Sequence, residues 1–393
     1  MPEFKPDIES FAKITVVGIG GSGNSILNRM IDSKLRGVGF VAINTDLQAL
    51  HISRASLKIQ IGKTITRGLG SGMDPDIGKK SAEENQNEIR EALKGADMVF
   101  ITCGLGGGTG TGAAPIVADI ARELGMLTIA VVTKPFSFEG AQRRQIAEKG
   151  FSDLKSRVDS IITIPNDRLL QTIDKRTSLL DAFFLADEVL HHGVRGISEL
   201  ITVPGLINVD FADVKAIMEN TGSSLMGIGV GKGDNRAVEA AKSAIESPLL
   251  DLSIDGAKGI LFTIAGPSDM SMHEVNEAAR VITESADPNA KIIFGAIIDD
   301  SLNDQIKITV VATGFSSDDD DFVGNVPGVS FSYSPTPFVR SVEESLEKRK
   351  TDLKKLQRKP AQEKKTFEGE KAETSIKEDV DLEIPAFIRR KMQ

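Results

Sequence analysis

The stretch Gly104-Leu105-Gly106-Gly107-Gly108-Thr109-Gly110-Thr111-Gly112 constrains this chain more than any other feature. It follows an apolar, strand-like run, Met98 to Thr102, and precedes a helix-like segment beginning at Ala113. Six glycines in nine residues leave the backbone bare and open positive φ to several positions. Successive N–H groups can then face one concavity with a helix N-terminus behind it, an arrangement suited to polyphosphate. Thr109 and Thr111 add hydroxyl donors. The loop holds no lysine, so amides, the helix dipole and Mg²⁺ would balance the phosphate charge. A flexible surface linker is the competing reading, but linkers are not usually set between a buried strand and a helix.

A second glycine cluster lies upstream. Ile14 to Val17 reads as a buried strand, followed by Gly18-Ile19-Gly20-Gly21-Ser22-Gly23-Asn24 and an apolar-periodic helix through Ile26, Leu27, Met30 and Ile31. This matches G-x-G-x-x-G at the first turn of a βαβ unit, and Asp46 ends the next strand where a dinucleotide enzyme places a ribose-binding acid. Alone, the cluster points to NAD(P) or FAD and an oxidoreductase, a reading in which the Gly106 loop has no place. The ATPase P-loop is excluded: Gly62-Lys63-Thr64 resembles its end, but Leu57 stands where its first glycine is needed.

Composition narrows the class. The chain has 393 residues, 40% hydrophobic and 26% charged, enough for two domains and a large core. A net charge of −9 argues against nonspecific nucleic-acid binding, and the absence of tryptophan leaves few base-stacking platforms. The lone cysteine, Cys103, rules out an internal disulfide, suits a reducing cytoplasm and reads as a small buried hydrophobe. Four histidines and one cysteine argue against a structural zinc site. No apolar run approaches the roughly 20 residues of a membrane span, and Met1 to Ser10 is too polar for a signal peptide.

Strands are predicted at 13–18, 40–44, 97–103, 127–132 and 160–165, alternating with helices at 22–32, 76–94, 112–124 and 139–156. Near-continuous apolar strands between amphipathic helices predict an α/β parallel sheet covered on both faces, with ligands at the carboxyl ends of the strands. Both glycine loops fall there. A long helix is predicted over 178–201 from Leu179, Phe183, Ala186, Leu190, Val194, Ile197 and Ile201, ended by Pro204-Gly205. Helices at 211–220, 236–245 and 272–286 then mix with strands at 225–229, 259–264, 291–298 and 305–312, predicting a smaller α/β domain with a four-stranded, partly antiparallel sheet. Residues 1–10 read as a tail, 11–177 as a nucleotide domain, 178–201 as a central helix and 202–315 as the second domain. From 316 to 378 the composition is that of a linker; the charged stretch 339–359 suits a short exposed helix or a solvated chain. Residues 379–393 combine an apolar patch, Ile384-Pro385-Ala386-Phe387-Ile388, with a basic end, and read as a partner-binding peptide with too little apolar length to anchor in a bilayer.

Together these motifs resemble the tubulin/FtsZ GTPase family. The signature is Gly106-Gly107-Gly108-Thr109-Gly110-Thr111-Gly112, and the likeness extends to Asn44-Thr45-Asp46, Gly68-Leu69-Gly70-Ser71-Gly72, Thr133-Lys134-Pro135-Phe136 with Glu139-Gly140 and Arg143, Ile164-Pro165-Asn166-Asp167, and Asn208-Val209-Asp210-Phe211-Ala212-Asp213-Val214. The tail resembles the C-terminal peptide of bacterial members. The resemblance covers about 11 to 315 plus the last dozen residues, and turns the Gly18 loop into a GTP loop. It implies a Rossmann-like parallel-sheet GTPase domain, a central helix and an activation domain. It also implies GTP-dependent head-to-tail polymerisation in the cytoplasm, at the mid-cell division ring, with membrane-tethering and regulatory proteins bound through 379–393.

By the same resemblance, Gly20, Gly21 and Gly106, Gly107, Gly108, Thr109 and Gly110 cradle GTP or GDP. Ser22, Asn44, Asp46, Gly70 and Gly72 fall in the matching loops. Thr133, Glu139, Arg143 and Asn166 match sugar and phosphate contacts, though spacing alone suits a helix-dipole partner for Glu139 and an exposed charge for Arg143. Guanine presents two donors on one edge, and a carboxylate, being acceptor-only, takes both. Asp187 matches that position, Phe183 would stack on the base, and Asn24 adds a contact; plain core packing is the alternative for Phe183. Asn208, Asp210 and Asp213 would enter the next subunit's site and orient water or a cation for in-line attack. In isolation Asp210 reads as a helix N-cap and Asp213 as a first-turn dipole partner. One departure stands out: Met73-Asp74-Pro75, where many members carry small residues and Asn before Pro.

Overall fold

The computed structural model describes residues 12–35, 37–172, 177–203, 205–247 and 253–315. The expected N-terminal tail, Pro204, the linker and the C-terminal peptide lie outside the described residues.

The apolar runs become strands and the amphipathic segments cover them. In chain order the first half runs β1 (Ile14–Ile19), α1 (Gly20–Asp32), β2 (Val38–Asn44), α2 (Leu47–Ile52), β3 (Leu57–Gln60), α3 (Lys63–Thr66), α4 (Pro75–Glu84), α5 (Gln86–Leu93), β4 (Met98–Gly104), α6 (Thr109–Glu123), β5 (Leu127–Lys134), α7 (Ala141–Lys155), β6 (Ser160–Pro165) and α8 (Asn166–Thr172). The long helix α9 (Leu179–Thr202) leads into α10 (Phe211–Met218), β7 (Gly222–Lys232), α11 (Arg236–Ile245), β8 (Gly259–Gly266), α12 (Met272–Glu284), β9 (Lys291–Ile298) and β10 (Gln305–Thr313).

Among the described residues these strands form one sheet, ordered β3-β2-β1-β4-β5-β6-β7-β10-β8-β9. From β3 to β7 every pairing is parallel. β10 runs antiparallel to β7 and β8, and β9 is parallel to β8. The expected four-stranded sheet is thus β7-β10-β8-β9, joined to the parallel part through β6 and β7. One apolar core centres on β1, β4, α6 and their neighbours, with Val17, Val99, Ile101 and Val117 fully buried. A second lies under α11 and α12, around Phe262, Ile282 and Ile306.

Two details correct the sequence reading. The helix expected over 76–94 is two helices, broken at Asn85, whose Oδ1 accepts from Gly62 N at 2.9 Å. A buried side chain bonded to a distant backbone holds Asn85 outside helical geometry, and periodicity does not register that. The first turn of α1 also starts earlier than expected, at Gly20, whose φ of +74° a side chain would strain.

Strand order places the chemistry. The chain steps outward from β1 to β3, then returns to β4 beside β1 and continues the other way. The carboxyl ends of β1 and β4 therefore flank the switch point, where open sheets of this kind bind ligands.

Candidate functional site

The two glycine loops meet at that switch point. A Cβ on Gly20 would sit 3.0 Å from Gly110 N, so the backbones touch. Ser22 Oγ accepts from Gly104 N at 2.9 Å and ties the first loop to the second. Gly106 N donates to Thr111 Oγ1 at 2.9 Å, folding the loop back on its own helix. α6 then begins at Thr109, so its first N–H groups point out of the loop without intrahelical partners. The loop is closed from the side by the turn before α4. Gly108 lies against it so tightly that a Cβ would come within 2.3 Å of Ser71 Oγ and 2.7 Å of Asp74 N.

Thr109 is the hub of a buried hydroxyl cluster. Its Oγ1 lies 2.6 Å from Thr45 Oγ1 and 2.9 Å from Ser71 Oγ. The hydroxyl fixes three loops to one another. Thr45 and Ser71 stand in the motifs quoted above, but their pairing with Thr109 spans 64 and 38 positions and has no local signal. Gly70 and Gly72 flank Ser71 with φ of +84° and +61°, and Met73 also takes positive φ, +68°, where a side chain is uncommon.

Three asparagines line the same edge with unsatisfied amides. Asn24 on α1, Asn44 at the end of β2 and Asn166 at the start of α8 are all buried. Neither amide atom of Asn24 has a hydrogen-bond partner, nor has Asn44 Nδ2 or Asn166 Oδ1. An unmade buried hydrogen bond costs about 1–3 kcal/mol. Three such side chains in one crevice suit a ligand that supplies both donors and acceptors, as a guanine nucleoside does. The other oxygen-bearing neighbour, Asp46, is engaged: its Oδ1 accepts from Gln48 N and Ala49 N and caps α2.

The remaining predicted residues gather around the crevice. Thr133 is buried at the end of β5. Glu139 pairs with Arg143 and its Oε1 accepts from Phe136 N at 3.0 Å. Phe136 packs edge-on against Phe183, with ring centroids 5.3 Å apart, so Phe183 has a fixed orientation while remaining half-buried. One turn further along α9, Asp187 accepts from Arg29 Nε of α1 at 2.8 Å. Burial raises the Asp187 carboxyl to about 6, against the pull of Arg29. Arg29, which also stacks over Phe184 at 4.2 Å, was not expected from sequence; its partner lies 158 positions away. Cys103 is buried, and burial pushes its thiol up to about 12, which fits packing and not nucleophilic chemistry.

Asn208, Asp210 and Asp213 do not join this group. α9 starts beside the crevice, and its last residue, Thr202, packs against Gly37 at the entry of β2, the opposite edge of the sheet. Its 24 residues span about 36 Å. The loop that follows is exposed there. Asn208 Oδ1 accepts from Gly205 N at 2.7 Å, and Asp210 Oδ1 accepts from Asp213 N at 2.8 Å and caps α10.

A doubly wound sheet with paired glycine loops at its switch point defines a nucleotide-binding α/β protein. Residues 13–174 match the GTPase domain of the Tubulin/FtsZ family, and residues 222–316 match the C-terminal domain of the FtsZ family. Among solved structures, the empty FtsZ dimer of M. jannaschii is 49% identical, with a TM-score of 0.76, over 78% of this chain and 89% of that one. The GDP-bound CetZ1 monomer of Haloferax volcanii is 19% identical over 86% and 99%, TM-score 0.67, and shares the fold. The GTPγS-bound CetZ2 protofilament is 20% identical over 87% and 99%, TM-score 0.66. The chain belongs to the tubulin/FtsZ family and is a GTPase that binds guanine nucleotide.

Proposed function

We propose that this GTPase assembles head to tail and hydrolyses GTP between subunits, in the ring that divides the cell. One observation carries the reading: α9 separates the nucleotide crevice from the Asn208–Asp213 loop, so one chain presents a site at one edge and exposed carboxylates at the other. A contact joining unlike edges is heterologous and repeats into an open filament. The assemblies of its relatives, a dimer and a protofilament, support the same reading.

In this scheme the loop amides and the α6 N-terminus hold the phosphates, Phe183 stacks on guanine and Asp187 accepts from its edge. Asp210 and Asp213 of the neighbour accept hydrogen bonds from a water and aim its oxygen at the γ-phosphorus. The new O–P bond forms as the bond to the β-phosphate oxygen breaks, and the water's proton passes to a phosphate oxygen, giving GDP and phosphate. Mg²⁺ would be carried by phosphate oxygens and water, and the loop, which holds no lysine, leaves that charge for it to balance. When bound it neutralises phosphate charge. Residues 202–315 act as the activation domain, and 379–393 as the docking peptide for membrane-tethering and regulatory proteins. Among the described residues no helix is long and apolar enough to cross a membrane.

The test is phosphate release with GTP and with ATP over a range of protein concentrations, with light scattering followed in parallel. GTP-specific turnover that appears above a threshold together with scattering is expected. Turnover per chain independent of concentration would overturn the shared site.

A further inference from the structure

One buried polar cluster plays no part in the scheme above. On α9, Glu188, His191 and His192 present a carboxylate oxygen and two imidazole nitrogens that all lie within 4.8 Å of one another. The spacing i, i+3, i+4 sets them on one helix face. Among the described residues this is the sole group of three His, Cys, Asp or Glu with that convergence.

His191 is the anomaly. It is 3% exposed, and neither Nδ1 nor Nε2 has a hydrogen-bond partner. A neutral imidazole normally satisfies one donor and one acceptor, and leaving both unmade in the interior is costly. Its neighbour is connected: His192 Nδ1 lies 2.7 Å from Lys307 Nζ of β10, and His192 Nε2 lies 3.4 Å from Glu188 Oε1. The side chains of His192 and Glu188 keep 13% and 23% of their surface in contact with solvent, so the cluster has a way in.

We propose that Glu188, His191 and His192 form a binding site for a divalent transition-metal ion of the zinc type. Two imidazoles and a carboxylate with a water in the fourth position is a donor set that suits Zn²⁺, and the same ligands accept Co²⁺ or Ni²⁺. The scarcity of His and Cys argued against a closed, four-ligand structural zinc; this site is open and needs three protein ligands. In the metal-free chain the Lys307 ammonium is the counter-charge to Glu188, reached through His192. A bound ion takes over that role and fills the orphaned acceptor of His191. The proton on His192 Nε2 leaves to solvent, and the proton shared with Lys307 passes to His192 Nδ1, so that His192 binds as a neutral imidazole and Lys307 becomes a neutral amine. The ion staples one turn of α9, the helix that joins the crevice to the far edge of the sheet.

The experiment uses the full, untagged, nucleotide-free chain. It is dialysed against a chelator, given one equivalent of Zn²⁺ and passed through a desalting column before metal analysis; Co²⁺ replaces Zn²⁺ for an absorption spectrum. One retained zinc per chain and a tetrahedral Co²⁺ spectrum are expected. His191→Ala should weaken binding at least about tenfold. His191→Gln, which keeps polarity and bulk, should do the same while GTP turnover reports a folded protein. Lys307→Met, which removes the competing ammonium, should bind at least as tightly as the parent. No retained zinc in the parent, or equal affinity in the parent and both His191 variants, would overturn the assignment.

Discussion

Arg29 on α1 donates from Nε to Asp187 Oδ2 on α9 at 2.8 Å, joining the helix behind the first glycine loop to the helix expected to read the base. The contact sets the direction of the carboxylate without exhausting it, because a carboxylate has two oxygens and about four acceptor positions. Asp187→Ala should therefore relax the preference for GTP over ATP while leaving the phosphate loops intact. Two hydrogen bonds to a charged acceptor, at about 1.5–3 kcal/mol each, correspond to at least a tenfold loss of selectivity. Competition binding of GTP and ATP measures it, and an unchanged ratio would remove Asp187 from base recognition.

The glycines of the signature divide by what surrounds them. A Cβ on Gly107 meets nothing within 4 Å, whereas one on Gly112 would lie 2.0 Å from Pro75 O of α4. Gly107→Ala should keep stability within about 0.5 kcal/mol and still lose nucleotide affinity, because the new methyl stands where phosphate approaches the amides. Gly112→Ala should lower stability by about 1–3 kcal/mol, since two helices must separate. Thermal melts beside nucleotide titration distinguish the two; a destabilised Gly107→Ala with intact affinity would reverse the assignment.

That division explains what could and could not be read in the sequence. The strands were legible because buried parallel strands are continuously apolar, as in β4, and the long helix because its apolar residues recur at helical spacing. The loops were legible because so many glycines in sequence have few other uses. β3, α2, α3 and α8 were not, being four to seven residues long and carrying too little periodicity. Nor was the second tier of the site. Arg29, and the link from Thr45 through Thr109 to Ser71, depend on contacts between residues 38 to 158 positions apart. Proximity of that kind is a product of the fold.

Arg236 fastens the two helices of the smaller core. Its guanidinium donates to Glu274 Oε1 at 2.7 Å and to Asp269 Oδ1 at 2.9 Å, while the residue is 7% exposed. The Arg236 bond holds the Glu274 carboxyl below its ordinary range. A depressed folded pKa means that the stabilisation is complete above the unfolded value, near about 4.3, and is lost as pH falls through the folded one. Glu274→Gln should cost about 1.5–3 kcal/mol at neutral pH and flatten the loss of melting temperature between roughly pH 5 and 3. A variant whose acid profile parallels the parent's would show that the pair contributes nothing to it.

Asp210 and Asp213 are exposed neighbours with separable jobs. Asp210 Oδ1 accepts the Asp213 amide and caps α10, so Asp210→Ala should lose about 1 kcal/mol of stability as well as turnover. Asp210→Asn keeps a capping oxygen and removes the charge, and should lose turnover alone. Asp213 contributes only its backbone N–H to that bond, so Asp213→Ala should fold and bind GTP like the parent and lose at least 100-fold in hydrolysis, a typical contribution for a group that positions the nucleophile. Mixing supplies the decisive reading. Asp213→Ala chains retain an intact crevice, and chains blocked at Gly107 retain an intact loop. If one chain's loop completes the next chain's site, an equal mixture should hydrolyse GTP faster than either variant alone. Two inactive variants that stay inactive together, while still co-sedimenting in filaments, would place the hydrolytic residues within a single subunit.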